Sequence, residues 1–271
     1  MTGRRAGWTV AASACALACA APARAGVTLV SEFAATGQTP RQAKSFVGTD
    51  RVRVETASND VIIFRGDRDL MWILRPKDHT YVEMNRDSMK ALRQQMDAAM
   101  AKMKAEIEKL PPEQRARIEK TMKERGLDTP GIERAEEPVK VEPTGRSDVV
   151  GGLACRELEV YRRAAKQYEV CVADWQTAGV TKDDLAALRK VGSWQDEIRS
   201  GTPLAVGGAA RGDDAMKLMD RLDGVPVRVR GFREGKAASE MRVTKIEKTG
   251  LDATLFDVPP GYRMKTIGGT R

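Results

Sequence analysis

The chain has one histidine in 271 residues, His79, and that scarcity alone rules out much of the usual catalytic chemistry. Zinc sites and nucleophile–base triads need partnered side chains. His79 sits in a Lys-Asp-His-Thr stretch whose polarity suits a turn. No Gly-x-Ser-x-Gly segment is present, so the α/β-hydrolase nucleophile elbow is missing. No Cys-x-x-Cys is present either, which disfavours a redox-active pair. The glycine-rich segment 201–212 lacks the Lys-Ser/Thr ending of a phosphate-binding loop and reads as a plain loop. Aromatic residues make up 5%, which implies a thin core. Lysine and arginine are interspersed with acids rather than clustered, so nucleic acid is excluded as a partner. These absences leave no catalytic residue, metal or cofactor to nominate, and the chain is read as a non-enzyme.

What is present begins at the first residues. Arg4 and Arg5 precede an uncharged apolar run over 8–20, and Pro22-Ala23-Arg24-Ala25 places small residues at the −3 and −1 positions before Gly26. That order of charged, apolar and small segments predicts a secretory signal peptide over 1–25, with cleavage between Ala25 and Gly26. The run is shorter than the ~20 residues that span a bilayer, and no later stretch reaches that length, so the mature chain has no transmembrane segment. Two other readings are weaker. Lipid attachment at Cys15 or Cys19 would place Ala12 or Ala16 where a bulky aliphatic is usual. Twin-arginine export would need more of its motif than Arg4-Arg5 supplies. The expected location is the periplasm, and losing Arg4, Arg5 and Arg24 lowers the formal charge from +8 to +5.

Two of the four cysteines leave with the signal, so Cys155 and Cys171 remain as one pair. In an oxidising compartment an even count points to a disulfide. Residues 153–161 and 167–173 read as strands joined by a polar stretch, and a Cys155–Cys171 bridge facing directly across them would centre the turn on Arg163. Two buried free thiols are the alternative.

Along the chain, residues 27–84 alternate or run apolar over strand lengths, separated by turns at Arg65-Gly66-Asp67-Arg68-Asp69 and Pro76-Lys77-Asp78. Such short connections imply an antiparallel meander. After Asn85, Met89, Leu92, Met96, Met100, Met103, Ile107 and Leu110 recur at helical spacing, and Pro111-Pro112 ends the helix. A second helix over 113–125 follows, with Gly126 as its cap. Residues 128–148 read as an irregular connection. Thr181 and Asp184 cap a helix whose buried side is Leu185, Leu188 and Ile198, and Asp213 opens a short helix with Met216 and Met219. Strands close the chain, over 225–230 and 239–248.

Several segments together carry a resemblance. They are Met71-Trp72-Ile73-Leu74 with Pro76-Lys77-Asp78-His79-Thr80-Tyr81-Val82-Glu83-Met84, then Leu110-Pro111-Pro112-Glu113-Gln114-Arg115, the Cys155 and Cys171 strands, and Leu255-Phe256-Asp257-Val258-Pro259-Pro260-Gly261-Tyr262. In this order they resemble an uncharacterised family of exported bacterial proteins related in fold to the lipoprotein carriers LolA and LolB. The resemblance implies an α+β fold. Residues 26–271 would form one LolA-like domain, a curled antiparallel sheet shaped as an incomplete barrel. Helices would lie on its concave, open side, with a helical hairpin inserted at about 85–126. It also implies binding of an apolar ligand, a lipid or lipidated peptide, in the concavity. Phe64, Trp72 and Leu74 would line the sheet, and Met96, Met100 and Met103 would form a lid, because methionine surfaces adapt to varied apolar ligands. The plainer alternative packs the methionine stripe on the sheet or the second helix. The runner-up function is a protein-interaction or sensory module with a filled core, docking an envelope protein through the hairpin, and an enzyme of unrecognised type, whose paired carboxylates the sequence does not reveal, is third.

Overall fold

The computed structural model describes residues 24–124, 139–162, 164–199 and 222–266. Residues 1–23, where most of the expected signal peptide falls, the glycine-rich segment 201–212 and the helix expected at Asp213 lie outside them.

The N-terminal part is a meander of β1 (Arg24–Ala35), β2 (Arg41–Val47), β3 (Arg51–Glu55), β4 (Val61–Arg65), β5 (Leu70–Arg75) and β6 (Thr80–Asn85). The helices α1 (Arg86–Glu108) and α2 (Pro112–Glu124) follow. A second meander comprises β7 (Val139–Val150), β8 (Leu153–Arg162) and β9 (Ala165–Ala173), then α3 (Ala186–Arg199), then β10 (Val225–Arg233) and β11 (Lys236–Leu251). A 3-10 turn at Ala253–Phe256 leads to β12 (Arg263–Lys265), which pairs in parallel with β6. All twelve strands form one sheet in the order β12-β6-β5-β4-β3-β2-β1-β11-β10-β9-β8-β7. Every neighbouring pair except β12–β6 is antiparallel. The fold is therefore α+β, and the two meanders meet at a single seam, β1 against β11.

The sheet is curled and unclosed, with β12 and β7 at its edges. At Gly151, in the turn after β7, a Cβ would lie 2.6 Å from the Val243 carbonyl oxygen on β11. Those strands are four places apart in the sheet, roughly 19 Å if it were flat at ~4.8 Å per strand. Gly151 also has φ of 57°, so glycine serves both the bend and the close approach.

The helices start as their sequences dictate. Asn85 caps α1 by accepting from the Ser88 N–H at 2.8 Å, while the Ser88 hydroxyl accepts from the Asn85 N–H at 2.9 Å. The same reciprocity precedes α3. Asp184 N–H donates to the Thr181 hydroxyl at 3.2 Å, and Thr181 N–H donates to the Asp184 carboxylate at 2.7 Å.

Two sequence expectations change. Residues 139–148 belong to β7 rather than to an irregular connection, because Val139 and Val141 alternate with Lys140 and Glu142 and pair with β8 despite Pro143 and Gly145. The β8–β9 hairpin is also shifted. Cys171 stands opposite Glu157, two residues along from Cys155: the Arg162–Ala165 pair at the turn shifts the register by one, and the bulge at Gln167, between the Val160–Tyr168 and Tyr161–Lys166 pairs, by one more. Arg163, the expected turn centre, lies outside the described residues.

Candidate functional site

The largest buried apolar cluster among the described residues lies between one face of the curled sheet and α3. From the sheet come Val27, Val47, Val52, Phe64 and Met71, joined by Cys155, Cys171, Val225 and Val227. From the covering segment come Ala178, Val180, Leu185, Ala187 and Trp194, with Leu188 and Val191 against them. Phe64 and Trp194 meet edge to face, their centroids 5.7 Å apart. The disulfide joins Cys155 and Cys171 beneath this layer, with Cα atoms 5.4 Å apart. Both cysteines are buried, so the bridge works as a clasp between β8 and β9 within the core.

The strand pleat separates the expected sheet residues. Phe64 pairs with Met71 and faces α3, whereas Ile63 pairs with Trp72 on the opposite face. Trp72 and Leu74 join Val61, Ile63, Leu251 and Phe256 in a separate cluster covered by the C-terminal segment. The expected lining set therefore reduces to Phe64 on the α3 side. The helix covering this face is α3, not the methionine helix. α1 contributes Met89 and Leu92 from its first two turns, and Met103 is 40% exposed. The side chains of Met96 and Met100 lie outside the described residues.

Trp194 was missed by sequence reading, although Ala187, Val191 and Trp194 recur at helical spacing alongside the expected Leu188. Ile198 lies outside the residues whose side chains are described. Phe64, Met71, Leu185 and Trp194 at the contact with the covering segment are all buried. A cavity of about 30 Å³, room for about one water, lies elsewhere, against Ala25, Gly48, Asp50, Leu251 and Phe256.

Beyond the disulfide the same face becomes charged, a feature no sequence motif announced. Arg228, opposite Cys171, donates to Asp148 and Glu157. Arg146 donates to Glu157 at 2.6 Å, and Arg230 donates to Glu169 at 2.7 Å and Glu240 at 2.9 Å. Glu159 stands opposite Glu169, a pairing that would repel by itself. Lys166 offsets it, lying 3.1 Å from Glu159 and 3.6 Å from Glu169. Hydrogen bonds from the Tyr161 hydroxyl and Lys166 hold the Glu159 carboxyl below its ordinary range. The Val149 amide and then Arg228 do the same for Asp148. Four cations and five carboxylates thus interleave and leave no single-sign patch within this cluster.

His79 is exposed and ends a 3-10 turn in the left-handed region, with φ of 48°. Its carbonyl accepts from the Arg263 N–H at 2.9 Å, and its ring lies 5.5 Å from that of Tyr262. Its role on view is to seat β12. Among the described residues no group of three or more His, Cys, Asp or Glu could hold a metal, and no helix is long and apolar enough to cross a membrane.

Solved structures offer distant likenesses. PNGF-II is 12% identical at a TM-score of 0.34, the match covering 89% of this chain and 30% of that one. The MucA/MucB complex of Pseudomonas aeruginosa is 8% identical at 0.35, covering 85% and 54%. A LolA superfamily protein of Nitrosomonas europaea is 10% identical at 0.25, covering 87% and 91%. The chain thus spans about a third of PNGF-II and about half of the matched chain in the MucA/MucB complex. No curated protein matches the chain. Residues 99–262, from the middle of α1 to the turn before β12, match the model of a domain of unknown function, DUF4412, and the chain belongs to that family.

Proposed function

We propose that this is an exported, periplasmic binding protein, without enzymatic activity, that takes a lipid or lipidated peptide between α3 and the apolar face of the sheet. One observation carries the reading. Among the described residues, a broad apolar floor, clasped by Cys155–Cys171, is roofed by the amphipathic helix α3, with the first turns of α1 beside it, rather than by a second sheet. Ligand sites of this kind are apolar and typically hold about 300–1,000 Å³. Entry of an acyl chain therefore requires α3 to lift, exposing Phe64, Met71 and the roof residues to the ligand. The charged residues beside Cys171 would border the ligand's head.

The test is to purify the full chain from a periplasmic extract, then combine native mass spectrometry with lipid extraction. A mass excess matched by an extracted lipid is the expected result. A clean ligand-free mass, together with no uptake of a fluorescent lipid probe, would overturn the proposal. The second reading, a docking module, rests on α1. Its first turns are anchored by Met89 and Leu92, while Met103 remains exposed farther along. An envelope protein engaging the α1–α2 hairpin would then be the partner.

A further inference from the structure

Three tryptophans lie among the described residues, and each carries one indole N–H. Trp72 Nε1 donates to Glu83 Oε2 at 2.9 Å, and Trp175 Nε1 donates to Asp223 Oδ1 at 3.3 Å. Trp194 Nε1 has no acceptor among the described residues, although the residue is only 5% exposed. An unmatched buried donor gives up its hydrogen bonds to water and gains none in return. Such groups are rare enough that each calls for a reason, a bound molecule among them. The reason does not lie in the apolar layer around Trp194. The ring packs on Phe64 amid valines, alanines and the disulfide, and none of these side chains offers an oxygen.

We infer that Trp194 Nε1 is the polar recognition point of the site beneath α3, donating to the carbonyl oxygen at the head of an acyl ester or acyl amide. The inference rests on the reading of the α3 interface as a ligand site and narrows the ligand to one chemistry. A bare hydrocarbon would leave the N–H unmatched. A fatty-acid carboxylate would be buried as an ion, which is costly without a paired cation. Arg228, opposite Cys171, has a buried Nε without an acceptor, but its other two nitrogens already face Asp148 and Glu157, so a further carboxylate there would meet two like charges. A neutral carbonyl satisfies the donor and brings no charge with it.

The experiment uses the ¹⁵N-labelled full chain, with the Trp194 indole signal identified by its loss in Trp194→Phe. Methyl laurate, lauric acid and dodecane are each added from a saturated aqueous phase. The expected result is a downfield shift of the Trp194 indole proton with methyl laurate and none with dodecane. Affinity should follow the order methyl laurate above lauric acid. Trp194→Phe should weaken methyl laurate roughly ten-fold and leave dodecane unchanged, as expected for one lost hydrogen bond. Unchanged methyl laurate binding in Trp194→Phe, an unshifted indole in the native protein, or tighter binding of lauric acid would overturn the inference while leaving the site itself in place. Binding of none of the three probes would overturn the site and the inference together.

Discussion

Arg65 is 3% exposed, and its charge is answered from two directions. It donates to Asp67 through Nε and Nη2, both at 2.8 Å, and to Asp257 through Nη1 at 2.5 Å. The hydrogen bond from Arg65 is the main reason the Asp67 carboxyl falls to about 2, with the charges of Arg65 and Arg51 adding to it. A depressed carboxylate stabilises the fold above its unfolded value and stops doing so as pH falls through the folded one. Native protein should therefore lose stability between about pH 4 and pH 2, and Asp67→Asn should flatten that dependence. Urea midpoints measured across this range check it, and an unchanged slope in the variant would contradict it. Sequence reading found the Arg-Gly-Asp turn but not its distant partner. Asp257 is 192 positions from Arg65, and no local pattern encodes that meeting.

At the scale of elements, the methionine helix separates what periodicity can reveal from what it cannot. Spacing located α1 closely, and Pro111-Pro112 marked its end, because helix period and proline chemistry are local. Which helix would roof the sheet was not legible. Both α1 and α3 carry apolar stripes, and the choice depends on where the chain re-enters the sheet. The two ends of α1 should consequently respond differently to truncation. Met89→Ala should cost about 2–5 kcal/mol as a buried truncation, and Met103→Ala should stay within about 0.5 kcal/mol. Thermal melts of the two variants measure the contrast, and equal losses would mean that α1 is buried along its whole length. The disulfide makes a second element-scale prediction. Its closing residues are 16 apart, so reduction should cost about 3 kcal/mol on a chain-entropy estimate. Denaturant titration with and without reductant tests this. A free-thiol assay on the denatured, unreduced chain that begins at Gly26 should find none. The other exposed edge, β7, carries Pro143, the Pro143/Ser147 bulge and the charges of Lys140, Glu142, Arg146 and Asp148, the features that discourage strand addition.

At the scale of the whole molecule, each half of the sheet is a meander of near neighbours, and this is why the strand regions were largely readable. β2 and β12 were not singled out. β2 is mostly polar, and β12 is three exposed residues held in place by β6. The β1–β11 seam was also hidden, since it joins Arg24–Ala35 to Lys236–Leu251 across most of the chain. Gly26 lies in this seam, and a Cβ there would fall 2.4 Å from Leu251 Cδ1 and 2.7 Å from the Val47 carbonyl oxygen. Gly26→Ala should therefore destabilise by about 1–3 kcal/mol through overpacking, read as a lower urea midpoint. An unchanged midpoint would show that the seam can open locally without cost.

That long-range pairing also bears on how the molecule comes into being. A ribosome releases the first strand long before its principal partner exists, so the edge that β11 will occupy stays bare while nearly all of the remaining chain is made. Contacts of such sequence separation slow folding. Assembly of the full sheet should thus be the late and slow step, and a chain cut short before residue 236 would retain two separate ribbons with no stitch between them.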